Sequence, residues 1–70
     1  MSESRKKVAI VGAGFMGKVH AKGYRNIEEA ELVAVIDSDT ERSAEFSKEF
    51  GCGAYSDLNE VLLKEVDFID

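Results

Sequence analysis

Val8-Ala9-Ile10-Val11-Gly12-Ala13-Gly14-Phe15-Met16-Gly17 sets a short apolar run directly against three glycines. The run from Val8 to Val11 is continuous and rich in β-branched side chains, the pattern of a strand covered on both faces. Gly12, Gly14 and Gly17 follow at G-x-G-x-x-G spacing, and a helical stretch from Phe15 to about Asn26 comes next. Its apolar positions Met16, Val19, Gly23 and Ile27 step by three or four, the period of one helix face. A second continuous run, Leu32-Val33-Ala34-Val35-Ile36, reads as another doubly covered strand. The unit from Lys7 to Asp37 is 31 residues long, the length of one strand–helix–strand crossover.

Three glycines by themselves would mark any turn. Between a strand and a helix they form the phosphate-cradling turn of a Rossmann dinucleotide-binding domain. Gly12 permits the sharp exit from the strand. Gly14 lets backbone come against a pyrophosphate whose space a side chain would fill, and Gly17 lets the helix lie close on the sheet. The N–H groups of the first helical turn, around Phe15 and Met16, then face the phosphates, and the helix dipole favours their charge.

Asp37 stands 20 residues beyond Gly17 at the end of the second strand. A carboxylate there accepts hydrogen bonds from the adenosine ribose hydroxyls. With Ser38 beside it, the candidate cofactor-binding set is Gly12, Gly14, Phe15, Met16, Gly17, Asp37 and Ser38. A 2′-phosphate would bring negative charge against Asp37; at about 4 Å and an effective dielectric near 20, unit charges repel by roughly 4 kcal/mol before screening. No cation follows Asp37 directly, and Arg42, the nearest, lies a turn into the next helix. The expected cofactor is NAD, with NADP disfavoured.

Past Asp37 the alternation continues. Ser38-Asp39-Thr40-Glu41 has the form of a helix start, with Ser38 or Asp39 as N-cap and acids in the first turn. Phe46 and Phe50 share one face of that helix, and Gly51 stands where a glycine would end it. Gly53-Ala54-Tyr55 reads as a short third strand. Ser56-Asp57 then caps a short helix with Leu58, Val61 and Leu62 facing inward, and Val66-Asp67-Phe68-Ile69 opens a fourth strand. The fold class is therefore α/β: a doubly wound parallel sheet with right-handed crossovers and strand order 3-2-1-4.

Composition narrows the function classes. The 70 residues are 44% hydrophobic and 33% charged, with no apolar run long enough to span a bilayer. A net charge of −5 argues against nucleic acid, which is bound through phosphate neutralisation by Lys and Arg. The trio Arg5-Lys6-Lys7 reads as a solvated lead-in to the first strand. One cysteine, Cys52, and one histidine, His20, supply neither a disulfide framework nor a metal site. The expected compartment is the reducing cytoplasm. His20, one turn past Gly17, is assigned a packing or hydrogen-bonding role, and Cys52 that of a passive loop thiol. So short a chain buries only about 60% of its unfolded surface. Residues 1–70 are accordingly expected to be the N-terminal portion of a larger NAD-binding domain.

From Val8 to Ala21 the sequence resembles the N-terminus of the Gfo/Idh/MocA oxidoreductases, the relatives of glucose–fructose oxidoreductase and inositol dehydrogenase. The continuation Gly17-Lys18-Val19-His20-Ala21 and the segment Tyr55-Ser56-Asp57 carry the likeness beyond the glycine motif. Leu32 to Asp37, Glu41-Arg42, Phe50-Gly51 and Val66-Asp67 extend it along nearly the whole chain. The resemblance implies a two-domain, homo-oligomeric enzyme that moves a hydride between a nicotinamide and a sugar, cyclitol or related hydroxyl or ketone. It also implies a catalytic lysine in a Glu-Lys-Pro motif, with a catalytic aspartate and histidine in the second domain. None of these has a counterpart in residues 1–70, so the catalytic residues are unknown from this sequence. An amino-acid or imine dehydrogenase, and a non-catalytic NAD-binding regulator, share the same front and stand as alternatives.

Overall fold

The structure is a computed structural model and describes residues 5–62 and 66–70. Strands and helices alternate strictly: β1 (Lys6–Val11), α1 (Phe15–Arg25), β2 (Ala30–Ile36), α2 (Thr40–Phe50), β3 (Gly53–Tyr55), α3 (Leu58–Leu62) and β4 (Phe68–Ile69). All the strand pairings are parallel, and their order is β3-β2-β1-β4. This is the doubly wound arrangement expected of the glycine motif's surroundings.

β1 lies inside the sheet, pairing Ile10 with Val35 on one side and Val8 with Phe68 on the other. A strand so placed is covered above and below, which is why its apolar residues run on without alternation. Successive side chains still point to opposite faces. Ile10 and Val35 pack with Ala13, Ala21 of α1, Phe46 of α2 and Cys52. Ala9, Ala34 and Ile36 form the opposite face with Val61 of α3. Cys52 is the passive loop thiol expected, between α2 and β3, and it is buried in the core, which pushes its pKa up.

Local chemistry sets the helix ends. Asp39, not Ser38, is the N-cap of α2: its carboxylate accepts the Arg42 N–H at 3.1 Å. Gly51 closes the same helix at φ 69°, the left-handed conformation that glycine adopts without a Cβ penalty. Phe46 and Phe50 stack along it at 4.6 Å between ring centroids. Asp57 opens α3 by accepting the Asn59 N–H at 2.9 Å.

Several expectations shift. The stripe Met16, Val19 and Gly23 of α1, with Ile27 just past its end, is exposed, and the helix meets the core through Ala21 and Tyr24 instead. Those residues sit roughly a third of a turn away on a helix of 3.6 residues per turn. Gly17 lies on this same side of the helix, where its lack of a Cβ lets the backbone approach the Gly12 turn. Val11 is also exposed although it ends an apolar run. In α3 Val61 is buried and Leu58 is not, while the Leu62 side chain lies outside the described residues. Lys6 and Lys7 belong to β1 itself, and Arg5 donates to the Ala30 carbonyl at 2.8 Å, so the basic trio is partly built into the sheet edge. Among the described residues no helix is long and apolar enough to cross a membrane.

Candidate nucleotide-binding site

The glycine turn leaves β1 at its C-terminal end, where an open parallel sheet places its ligands. Gly12 takes φ 101°, a region that L side chains rarely adopt, and its N–H donates to the Ile36 carbonyl at 2.7 Å. The turn is thereby fastened to the end of β2. Gly17 is required for a different reason: a Cβ built there would stand 2.1 Å from the Gly12 carbonyl oxygen. Only a hydrogen fits between helix and turn.

Gly14 faces the other way. It is the N-cap of α1 in extended conformation, makes no side-chain cap, and a Cβ added to it would meet no protein atom within 4 Å. The first turn of α1 contains no acidic residue, so no carboxylate offsets the positive end of the helix. Phe15 and Met16 begin the helix with largely exposed side chains and first-turn N–H groups that have no partner within the helix. Open space at Gly14 beside unneutralised donors suits a pyrophosphate.

Asp37 follows the last residue of β2 and is 9% exposed. Its Oδ2 accepts the Ala13 N–H at 2.8 Å, and its Oδ1 accepts the Asp39 N–H at 2.9 Å. Arg42 completes the set, Nε donating to Oδ2 at 3.1 Å and Nη2 to Oδ1 at 3.3 Å. These donors, the Ala13 N–H first, hold the carboxyl down to about 2 from an ordinary 3.8. The same ion pair raises Arg42. The Ala13 bond places the candidate ribose acceptor directly against the glycine turn, which the sequence pattern gives no sign of. Arg42 was readable as near but not as touching. Its place in the first turn of α2, where side chains lean toward the helix N-terminus, was the available signal.

Ser38 sits exposed in the bend between Asp37 and α2. His20 lies away from this cluster: its Nδ1 is 3.1 Å from Asp70 Oδ1, and the Tyr24 hydroxyl donates to Asp70 Oδ2 at 2.7 Å. The Tyr24 bond, and then His20, hold the Asp70 carboxyl below its ordinary range. His20 therefore ties α1 to the end of β4, the hydrogen-bonding role read for it. Among the described residues no group of three or more His, Cys, Asp or Glu could hold a metal ion.

Residues 6–70 match the family model of the Gfo/Idh/MocA oxidoreductases, described as an oxidoreductase family with an NAD-binding Rossmann fold. The chain belongs to this family. It is 38% identical over 68 residues to the D-apiose dehydrogenase of Paraburkholderia graminis, covering 94% of this chain and 18% of that protein. Among solved structures, it superposes with a TM-score of 0.91 and 33% identity on GenD2 of gentamicin A biosynthesis, crystallised in complex with NAD; 99% of this chain and 20% of that one are covered. The scyllo-inositol dehydrogenase of Lactobacillus casei, solved with NAD(H) and scyllo-inositol, gives a TM-score of 0.82 and 26% identity over 93% of this chain and 20% of that one. The chain spans about a fifth of the length of such relatives.

Proposed function

We propose that this chain forms the pyrophosphate and adenosine-ribose site of an NAD-dependent oxidoreductase acting on a sugar, cyclitol or related hydroxyl or ketone. The observation that carries the reading is the bond from the Ala13 N–H to Asp37, which joins the glycine turn to a buried, ionised carboxylate. Gly14 and the N–H groups of Phe15 and Met16 hold the phosphates, and Asp37 accepts ribose hydroxyls. Ser38 borders that pocket. The nicotinamide, when bound, supplies the hydride acceptor or donor. The catalytic groups lie outside residues 1–70, in further parts of the Rossmann domain and in a substrate domain. The family relatives named for D-apiose and scyllo-inositol support the substrate class. In the whole protein, a cytoplasmic homo-oligomer, the exposed Val19, Ile27, Phe68 and Ile69 are covered by the rest of the domain.

Titration of the protein with both dinucleotides tests the cofactor, and NAD(H) should bind more tightly than NADP(H). Gly14→Ala separates the phosphate site from the fold. Its Cβ meets no protein atom within 4 Å, so the melting temperature should stay unchanged. NAD(H) affinity should fall by roughly tenfold or more, because the methyl group takes space meant for the ligand. Unaltered affinity would place the phosphates elsewhere.

A further inference from the structure

An ionised carboxylate offers about four lone-pair sites. On Asp37 all of them are in use: Oδ2 by the Ala13 N–H and Arg42 Nε, and Oδ1 by the Asp39 N–H and Arg42 Nη2. Ala13 and Asp39 donate from backbone fastened to the sheet and to the start of α2, and cannot leave without dismantling the turn. The Arg42 side chain is different. It is 52% exposed, while the Asp37 side chain it grips is 7% exposed, and it hangs from α2 on a flexible stem. A ribose hydroxyl can therefore reach Asp37 only by taking a place that Arg42 holds.

We infer that Arg42 is a displaceable cap on the ribose-binding carboxylate, and that it sets how strictly the pocket rejects a 2′-phosphate; the inference rests on the nucleotide reading above. The guanidinium occupies the outer lone pairs of Asp37. Ribose hydroxyls displace it, and because its backbone stays fixed on α2 the freed cation remains beside the ribose edge. There it offsets part of the repulsion that Asp37 directs at a 2′-phosphate. NAD binding thus proceeds against a competitor, whereas a 2′-phosphate regains a charged hydrogen-bonding partner. Both consequences pass through one side chain, and they have opposite signs.

Arg42→Met separates them, keeping much of the stem's bulk while removing the guanidinium. Dissociation constants for NADH and NADPH would be measured by fluorescence titration on the unmodified protein, Arg42→Met and Arg42→Lys. Losing an exposed ion-pair competitor should tighten NADH binding about two- to fivefold. Losing a charge-assisted partner should weaken NADPH binding roughly tenfold. Arg42→Lys should restore much of the NADPH affinity, since the charge returns without the two-pronged grip on Asp37. A merely structural role would move both affinities the same way, and that result, or no change in either, overturns the inference while leaving the nucleotide site intact. A protein that binds neither dinucleotide overturns the cap and the site together.

Discussion

Gly17→Ala should destabilise the protein by about 1–3 kcal/mol and weaken NAD(H) binding together with it, whereas Gly14→Ala should weaken binding alone. The added methyl would lie 2.1 Å from the Gly12 carbonyl oxygen and 3.2 Å from its carbon. Both are backbone atoms, so no flexible side chain can give way. Either α1 lifts from the sheet, loosening Ala21 and Tyr24 from the core, or the Gly12 turn shifts and strains its bond to the Ile36 carbonyl. Each route also moves the first-turn N–H groups to which the proposed phosphate site is assigned, since both partners belong to the same turn. Chemical denaturation and NAD(H) titration on one preparation measure the two losses. Full stability in Gly17→Ala would mean that helix and turn are not in contact.

A second large effect is expected at Asp37. In Asp37→Asn the amide keeps an acceptor for one backbone N–H and turns its own N–H₂ toward donors. The buried Ala13 N–H or the Asp39 N–H then loses its partner, at a cost of about 1–3 kcal/mol, and Arg42 loses its counter-charge. The pH dependence identifies the cause. The folded carboxyl titrates at about 2 instead of 3.8, so its ionised form stabilises the fold fully above the unfolded value. That contribution fades as pH falls from about 4 through 2. Unfolding free energies of the two forms should differ by a constant amount above about pH 5 and converge in acid. A gap that persists unchanged to about pH 2.5 would show that the ionised carboxylate is not what the donors require. NAD(H) affinity at neutral pH should also drop roughly tenfold, because one ribose acceptor is gone.

Much of this site was legible in one dimension because its rules are local. The glycine spacing between a strand and a helix, the 20 residues from Gly17 to Asp37, and Gly51 closing α2 each depend on backbone geometry over a few neighbouring residues. Continuous apolar runs likewise betray strands covered on both faces wherever they fall in a chain. These features were enough to specify the fold class and the strand order.

What only the tertiary structure decided lies in contacts between segments. Periodicity locates an apolar stripe along α1 but not the face that meets the sheet, and the helix rests on Ala21 and Tyr24 while Met16 and Val19, with Ile27 just past its end, stay exposed. The choice of Asp39 over Ser38 as N-cap followed from Asp37 claiming the Asp39 N–H. Arg42 is the nearest cation to follow Asp37 in the sequence, but spacing alone puts it a turn into the next helix and not in contact. A helix start folds back within one turn, and there a guanidinium five positions away reaches both oxygens of the carboxylate. Sequence spacing measures distance along the backbone, whereas charge and hydrogen bonding act through space, and in this molecule the two part company at Asp37.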